Sequence, residues 1–255
     1  MRRRVQRYWD SHPLGTQFLP DRAAPQSTLE FEQLDQALDR WEYKGTLLDA
    51  VATRWPGGRL LEVGCGLGTD LVRLARRGLR VTGIDLAPAV AALARRHLEA
   101  YGLPGRVLVG DAEALSFPAG AFDVVYSSGV LQHLPDIGRA VAEIHRVLRP
   151  RGGCVCILYH RYSWFNALRH LGGVNVEFED ADPPIIHTYS RREVRQLFRR
   201  FTTVNVDARY YRPTPTPRRS PLARLYNHLF VPAMRRAPEA LVRPFGWHLV
   251  ISAFR

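Results

Sequence analysis

Residues 60–78, LLEVGCGLGTDLVRLARRG, contain the pattern that decides the fold. Three of the four residues at 60–63 are apolar, which predicts a short strand that is covered on both faces. Residues 64–68 read GCGLG and let the backbone turn sharply into a helix that begins at Thr69. Because glycine has no Cβ and the first N–H groups of a helix are unpaired, such a turn can approach a ligand closely.

The spacing of the glycines separates two classes of nucleotide-binding protein. The dinucleotide fingerprint GxGxxG requires a small residue in its sixth place, where this sequence has Thr69 when the count begins at Gly64. The carboxylate of Glu62 precedes the first glycine, and it suits a ligand with an ammonium group better than one with a pyrophosphate. The pattern Glu-x-Gly-x-Gly-x-Gly at 62–68 resembles motif I of the class I methyltransferases that depend on S-adenosylmethionine (SAM).

The composition is that of one α/β domain with additions. The chain has 255 residues, enough for a sizeable core but too few for two full domains of typical size. No run of about 18 uncharged apolar residues occurs, and the first ten residues lack the apolar segment of a secretory signal. The three cysteines have no paired CxxC spacing. We therefore expect a soluble, cytoplasmic protein with reduced thiols.

The formal net charge of +12 raises nucleic acid or an anionic membrane as a partner. Lys44 is the only lysine, so nearly all the basic residues are arginines. Such a bias can come from the base composition of a genome as easily as from function. The charge keeps a methyltransferase acting on RNA or another nucleic acid as the second hypothesis.

Two stretches precede the first strand. Residues 2–22 contain aromatic residues, an acid, a histidine and a Pro-Leu-Gly turn without a long period, which predicts either a strap on the surface or a flap over the ligand. Residues 28–55 repeat apolar side chains at mostly helical intervals, which predicts one or two helices. We therefore divide the chain into residues 1–57, with the flap and helices, and residues 58–255, with the main domain.

Acidic side chains follow the next two predicted strands. Residues 79–84 are a strand that ends at Asp85, where a carboxylate can accept both hydroxyls of a ribose. Residues 106–109 are a third strand that runs into Asp111 and Ala112. A fourth strand at 122–126 and a fifth at 154–159 follow, the fifth after a predicted turn at 149–153.

The order of these signals over residues 58–160 resembles the type 11 group of SAM-dependent methyltransferases. The resemblance implies a Rossmann-like α/β fold with a seven-stranded, mostly parallel sheet, helices on both faces and an antiparallel last strand. Strands six and seven are then expected at 202–211 and 247–254. Segments 160–189 and 212–246 are insertions, which we expect to cap the substrate side, since ligands bind beyond the carboxyl ends of parallel strands.

The same resemblance implies SAM as the cofactor. It places Asp85 on the ribose and Asp111 on the adenine amino group, with the backbone beside Asp111 reading a ring nitrogen. The residues expected to bind the cofactor are Glu62, Gly64, Cys65, Gly66, Gly68, Asp85, Leu86, Asp111, Ala112, Ser127 and Tyr8.

Methyl transfer from a sulfonium requires alignment, exclusion of water and, for some acceptors, a base. His133 follows the fourth strand, His160 follows the fifth, and Tyr189 precedes a predicted helix, so these three are the candidate catalytic residues. Each also has a purely structural interpretation. Ser190 and Glu193 are expected to form a capping box at the start of that helix.

The sequence also bears on metal binding and on contacts with other molecules. No grouping of His, Cys or acidic residues has metal-ligand spacing, so we expect no metal. Residues 218–244 mix leucine and arginine in a pattern of two short amphipathic helices, which predicts a lid, a subunit contact in a homodimer or contact with a membrane surface. The sequence predicts a SAM-dependent methyltransferase acting on a small molecule. A nicotinamide-dependent oxidoreductase and a SAM-binding protein without catalysis are the remaining alternatives.

Overall fold

A computed structural model describes residues 1–13, 16, 25, 27–38, 42–172, 183–210, 213 and 224–255. Its α-helices are α1 (Arg2–Ser11), α2 (Thr28–Leu38), α3 (Glu42–Arg54), α4 (Thr69–Arg76), α5 (Pro88–Ala100), α6 (Ile137–Val147), α7 (Trp164–Gly172), α8 (Arg191–Leu197), α9 (Val231–Arg236) and α10 (Glu239–Val242). Its strands are β1 (Arg59–Val63), β2 (Arg80–Asp85), β3 (Gly105–Val109), β4 (Phe122–Ser128), β5 (Leu148–Tyr159), β6 (Thr203–Arg209) and β7 (His248–Phe254).

The seven strands form one sheet in the order β3-β2-β1-β4-β5-β7-β6. Strands β1 to β5 pair in parallel, whereas β7 runs antiparallel to both of its neighbours, β5 and β6. Parallel strands need a crossover between them, and α4, α5 and α6 supply it. The predicted seven-stranded sheet with an antiparallel last strand is confirmed.

Helices cover both faces of the sheet, as predicted, and each face has its own apolar core. Alternation along β1 shows the division, because Leu60 packs with residues of α3, α4 and α5, whereas Leu61 packs with residues of α6 and α8. A third, smaller cluster joins Phe31 and Leu34 of α2 to Leu67 in the glycine turn. The N-terminal helices are therefore built into the domain next to the turn.

The first half of residues 2–22, for which the sequence showed no long period and no helix was predicted, is helical. Residues Arg2–Ser11 form α1, with Val5 buried on one face. Val5, Tyr8 and Trp9 stand at helical spacing, but the surrounding arginines masked this short apolar stripe. Most of residues 14–24 lie outside the described residues. The helical prediction for residues 28–55 is realised as the two helices α2 and α3.

The fifth strand begins earlier than predicted. Residues 149–153 were predicted as a turn, yet Leu148 already pairs with Phe122, and Gly153 pairs with Val124 two residues further along β4. The extra residues of β5 leave the ladder as a bulge, in which Arg151 has a φ of 64°. The local signal for a bend was right, but tertiary pairing continues the strand on both sides of it.

The predicted cap segments are described in part. Residues 173–182, 211–212 and 214–223 lie outside the described residues. Of the predicted amphipathic stretch, α9 and α10 are present, and a single turn of π-helix at Tyr226–Phe230 leads into α9. The predicted capping box also forms, with the Ser190 hydroxyl accepting from the Glu193 N–H and the Glu193 carboxylate accepting from the Ser190 N–H. The division at residue 58 remains a prediction.

Candidate functional site

The predicted site residues meet at one edge of the sheet. Strands β1 to β5 are parallel, so their carboxyl ends lie at the same edge, and the antiparallel β7 begins there. The glycine turn follows β1, Asp85 ends β2, Asp111 follows β3 and His133 follows β4. His160 follows β5. Side chains that are far apart in sequence thus lie at one edge of the sheet.

Hydrogen bonds from three successive N–H groups fix the glycine turn. Gly64 and Cys65 both donate to the carbonyl of Ile84, at 2.8 and 2.9 Å, and Gly66 donates to Oδ2 of Asp85 at 3.0 Å. Gly68 donates to the carbonyl of Cys65 at 2.8 Å and directly precedes α4. The turn is therefore attached to the end of β2 as well as to β1.

Two glycines in the turn have distinct steric reasons for being glycine. Gly64 has a φ of 71°, and a Cβ there would come within 2.3 Å of Val130. Gly66 has a φ of 54°, and a Cβ there would meet nothing within 4 Å. The backbone at Gly66 therefore faces open space, as a turn that approaches a ligand must. Between them, Cys65 is buried, and burial raises the pKa of its thiol, so the thiolate is disfavoured.

Asp85 is held in a fixed orientation by backbone amides. Oδ2 accepts from Gly66, and Oδ1 accepts from Ala87 at 3.0 Å, on the far side of Leu86. Burial raises the pKa of the Asp85 carboxyl, and the bonds from the amides act in the opposite direction. Each carboxylate oxygen retains a lone pair beyond these contacts, so Asp85 can accept further hydrogen bonds from a ligand.

Glu62 has a buried carboxylate oxygen without a hydrogen-bond partner in the described part of the chain. Its side chain is buried, and its Oε2 has no hydrogen-bond partner among the described residues. Burial raises the pKa of the Glu62 carboxyl well above its ordinary value; the negative charge of Asp70 adds to this, and the positive charge of Lys44 opposes it. A buried acceptor without a donor costs free energy, and a cationic ligand beside it would remove that cost.

Sequence reasoning missed the contacts that surround Glu62. Lys44 Nζ lies 2.7 Å from Oδ2 of Asp70, which also accepts from the hydroxyl of Tyr126 at 3.0 Å. Lys44 comes from α3, Asp70 from α4 and Tyr126 from β4. The available signal was that the only lysine of the chain stands in a helix just before motif I. No pattern linked it to Asp70, because the two meet only through packing.

Asp111 is covered by the first helix. Nε of Arg2 lies 2.8 Å from Oδ2 of Asp111, and Nη2 of Arg2 donates to the buried carboxylate of Glu113 at 3.0 Å. The Glu113 N–H donates to Oδ1 of Asp111 at 2.9 Å, and the intervening Ala112 is buried. Arg2 thus joins the two acids that follow β3.

The remaining contacts of α1 extend across the same edge. Oδ1 of Asp10 accepts from the Ala89 N–H at 3.2 Å, near the start of α5, and the Trp9 ring meets the edge of the His133 ring at 5.3 Å between centroids. Tyr8, a predicted cofactor residue, stacks on His12 at 4.6 Å. The helix therefore lies over the ends of β2, β3 and β4.

Both ring nitrogens of His133 are engaged. Nδ1 lies 2.7 Å from the carbonyl of Ile185, and because a carbonyl only accepts, Nδ1 carries the proton. Nε2 lies 3.2 Å from the amide nitrogen of the buried Gln132. The ring is packed between Trp9 and Tyr159, at 5.3 and 5.7 Å. These contacts give His133 a structural explanation that is independent of any substrate.

His160 is placed differently. Its Nδ1 lies 3.0 Å from the carbonyl of Gly246 and therefore donates, which leaves Nε2 as the basic nitrogen. No described residue forms a hydrogen bond with Nε2. Burial lowers the pKa of His160, with Arg191 adding to this effect and the bond to Gly246 opposing it, so the neutral ring is favoured. A neutral imidazole with a free lone pair is the form that can take a proton.

The backbone brings Tyr189 beside His160. The two residues pair as an isolated parallel bridge, and the Tyr189 N–H donates to the carbonyl of Tyr159 at 2.8 Å. The Tyr189 side chain, however, packs in the core on the α6 and α8 side of the sheet. Burial raises the pKa of its phenol to about 12, so the hydroxyl keeps its proton at neutral pH. Ser127 is also committed elsewhere, because its buried hydroxyl donates to the carbonyl of Val63 at 2.9 Å.

Within the described ranges, no group of three or more His, Cys, Asp or Glu side chains is arranged to hold a metal ion. The three cysteines are free and buried. Among those same residues, none of the helices combines the length and the apolar character needed to cross a bilayer.

Comparison with known proteins adds sequence and fold similarity. Residues 61–156 match a family model described as a methyltransferase domain, of the type 11 group. The demethylmenaquinone methyltransferase of Thermus thermophilus is 37% identical over 129 residues, which cover 46% of this chain and 59% of that protein. The malonyl-[acyl-carrier protein] O-methyltransferase of Serratia marcescens is 39% identical over 108 residues, which cover 42% of this chain and 41% of that protein.

The chain thus spans less than two thirds of the length of these curated relatives. A solved structure of a SAM-dependent methyltransferase from Thermotoga maritima superposes with a TM-score of 0.57 at 21% identity, over 88% of this chain and 97% of that one. At that identity the likeness establishes the fold.

The buried His248 beside the site predicts a pH dependence of stability. Its Nδ1 lies 2.7 Å from the hydroxyl of Tyr43, and burial, with Lys44 nearby, lowers its pKa to about 3. As pH falls below about 6.5, His248 becomes protonated in the unfolded chain but stays neutral in the folded chain. The free energy of unfolding should therefore decrease by about 1.4 kcal/mol per pH unit for this group. Urea unfolding at pH 7, 6 and 5 measures the slope.

In the variant His248→Gln, the free energy of unfolding should decrease less between pH 6.5 and 5, because the glutamine does not bind a proton in the unfolded chain. His187→Gln, at an exposed position, is the matched control and should keep the slope of the unsubstituted protein. Equal slopes in all three proteins would contradict the assignment to His248.

Proposed function

The chain carries a methyltransferase domain of the type 11 group on the class I fold, and from this premise we propose that it transfers a methyl group from SAM to a small-molecule acceptor. The observation that carries the proposal is the glycine turn beside an unpartnered carboxylate. Gly66 faces open space, and Oε2 of the buried Glu62 has no hydrogen-bond partner among the described residues. A cationic ligand at the turn would satisfy that oxygen.

The amino-acid part of SAM fits the charges below the turn. Glu62 is suited to the α-ammonium group, because a positive charge nearby stabilises the ionised carboxylate that burial disfavours. Lys44, 2.7 Å from Asp70, supplies a cation for the α-carboxylate. Opposite charges at the two sites match a zwitterion.

The nucleoside part fits the ends of β2 and β3. Asp85 is oriented by two amides and retains lone pairs for the ribose hydroxyls. We assign the adenine to Asp111, whose carboxylate is bonded to Arg2 in this structure. An amino group of adenine would share or replace that contact, so this part of the site depends on where α1 lies.

The class of acceptor is supported by the relatives. The protein from Thermus thermophilus is named for demethylmenaquinone, a small organic molecule, and aligns over the part of the chain that contains the site. Aromatic side chains near His160 are consistent with an organic acceptor, since Trp247 stacks on Tyr159 at 4.4 Å and Phe165 contacts Trp247 at 4.9 Å.

When bound, SAM supplies a methyl group activated by the adjacent sulfonium. The part left to the protein is to hold the acceptor and to take the proton that its nucleophilic atom loses. We assign that proton to Nε2 of His160, which has a lone pair and no described partner. His133 is assigned a positioning role, because its Nε2 already faces Gln132. Tyr189 keeps its proton and can donate a hydrogen bond.

Helix α1 is proposed as a flap over the cofactor. Its contacts with Asp111, Ala89 and His133 extend across the ends of three strands. A cover of this kind excludes water from the reacting methyl group. Val5 of the same helix is buried, so displacing α1 would also expose an apolar side chain.

The surface of α9 and α10 is our candidate for the predicted contacts of the cap. Exposed side chains on and beside α9 and α10 include Leu225, Leu229, Leu241 and Phe245, with Arg224 and Arg236 nearby. A homodimer contact and a peripheral membrane contact would both use this surface. A cytoplasmic location is consistent with the three buried, unpaired cysteines.

Substituting Asp85 or Asp111 tests cofactor binding. Asp85→Asn and Asp111→Asn should each weaken SAM binding by about ten- to a hundredfold, because each removes a charge-assisted hydrogen bond of about 1.5–3 kcal/mol. Isothermal titration calorimetry with SAM measures the affinity. Asp49→Asn, at an exposed position on α3, is the control and should bind SAM normally. Normal SAM affinity in both site variants would refute the cofactor assignment.

Substituting His160 tests the base. His160→Asn places an amide nitrogen near the position of Nδ1, preserving the bond to Gly246 while removing Nε2. Turnover should fall by about a hundredfold, with SAM affinity nearly unchanged. The acceptor is first identified by mass spectrometry of a metabolite extract incubated with labelled SAM. His133→Asn is the matched comparison and should reduce turnover less. If His160→Asn raises only the KM of the acceptor, His160 binds the acceptor and is not the base.

Deleting residues 1–12 tests the flap. The shortened protein should bind SAM more weakly and turn over more slowly, because one wall of the site is missing, while its sheet unfolds at nearly the same temperature. Calorimetry and thermal unfolding by circular dichroism measure the two effects. Arg4→Ala, which keeps the helix and changes an exposed side chain, is the control. Full activity in the shortened protein would make α1 a strap without a role in catalysis.

A further inference from the structure

His97 is a buried titratable residue for which the proposed chemistry has no use. It lies in α5, is fully buried, and its Nδ1 lies 2.8 Å from the carbonyl of Leu67 in the glycine turn. Because a carbonyl only accepts, Nδ1 donates this bond. A side chain from the helix after β2 thus bonds the backbone of the turn after β1.

The other ring nitrogen points to an acid from the N-terminal helices. Nε2 of His97 lies 3.4 Å from Oδ2 of Asp35 in α2, which is within ion-pair distance for a protonated ring but does not meet hydrogen-bond geometry. The hydroxyl of Tyr101 donates to the same oxygen at 3.2 Å. The ring of Phe31, also in α2, stacks on the His97 ring at 4.3 Å with an interplanar angle of 14°. The imidazole is therefore held on its edge and on its face, and it has little freedom to rotate.

Asp35 also contacts the helix that follows the glycine turn. Its backbone carbonyl accepts from Nη2 of Arg73, in α4, at 2.8 Å. The side chain of Leu67 packs with Phe31 and Leu34 in the small cluster on α2. Helix α2 therefore reaches the turn by an apolar contact and through the imidazole, and it reaches α4 through Arg73.

The bond to Leu67 constrains more than one atom. The carbonyl of Leu67 and the N–H of Gly68 belong to the same planar peptide unit, so fixing the direction of one fixes the other. The Gly68 N–H donates to the carbonyl of Cys65 at 2.8 Å, which closes the turn. A rotation of the Leu67 carbonyl away from His97 would break this bond.

We propose that His97 and Asp35 are positioning residues that hold the glycine turn in the shape that binds the cofactor, by fixing the Leu67–Gly68 peptide unit. Neither residue is among those assigned to the cofactor or to the acceptor. The pair acts through the backbone of the glycine turn, so α2 influences the cofactor site indirectly. The inference rests on the proposed function only where SAM is the ligand of the turn.

Two substitutions of His97 separate its bond to Leu67 from its contact with Asp35. His97→Asn puts an amide nitrogen near the position of Nδ1 and keeps the bond to Leu67. His97→Gln puts one near Nε2 and keeps the contact with Asp35. We expect the Gln variant to bind SAM about tenfold more weakly and the Asn variant to bind within about threefold of the unsubstituted protein. Asp35→Asn should fall between them.

Hydrogen exchange of the Gly68 amide in the absence of ligand gives a second readout. This amide should exchange about tenfold faster in His97→Gln, and near the normal rate in His97→Asn, as followed by NMR. Glu99→Gln changes an exposed carboxylate on the same helix and is the control. Thermal unfolding of each variant shows that it is folded, and Asp35→Asn tests the pair without altering the buried ring.

Failure of the positioning role can be distinguished from failure of the proposed function. If the unsubstituted protein does not bind SAM, the proposed function fails. Faster exchange at Gly68 in His97→Gln would still support the positioning role of His97 and Asp35. If Gly68 exchanges at the normal rate in folded His97→Gln and Asp35→Asn, the positioning role of these two residues is refuted. Equal loss of SAM affinity in the Asn and Gln variants would also overturn it, because restoring the bond to Leu67 should restore the turn.

Discussion

Three consecutive N–H groups of the glycine turn donate to the end of the neighbouring strand, and the candidate site depends on this attachment. Gly64 and Cys65 donate to the carbonyl of Ile84, and Gly66 donates to the carboxylate of Asp85. These bonds require β1 and β2 to pair in one register, in which Val63 lies opposite Ile84. A shift of one residue would turn the alternating side chains to the wrong face and remove all three acceptors. The two apolar cores stabilise the register, and so they stabilise the site.

Below the turn, burial makes the electrostatics selective. Glu62 is removed from water and close to Asp70, and both effects disfavour its charged form. Lys44 neutralises part of this negative charge through Asp70. A ligand with a positive and a negative group close together would balance the charges of Glu62 and Lys44, whereas a pyrophosphate would bring two negative charges next to buried carboxylates. The charges around the turn thus favour a zwitterionic ligand, and this is a reason independent of the glycine spacing.

The histidines of the site show how hydrogen-bond partners assign different tasks to one residue type. His133 and His160 each donate from Nδ1 to a backbone carbonyl, and they differ at Nε2. Gln132 faces that nitrogen in His133, whereas no described residue bonds it in His160. His97, the third, uses its ring to connect Asp35 with the backbone of the turn. A functional assignment therefore depends on the second nitrogen and its neighbours.

The sequence by itself determined the α/β class, the succession of strands and helices along the chain, the glycine turn, Asp85 at the end of β2 and the capping box at Ser190. These features are encoded locally, by apolar alternation, by glycine spacing and by side chains that bond backbone three residues away. Only the tertiary structure showed that Arg2 covers Asp111, that Lys44 reaches Asp70 and that His97 holds the turn. Each of these contacts joins residues that are 26 or more positions apart in the sequence. Their approach is set by how helices pack on the sheet, and no short-range pattern in the chain records it.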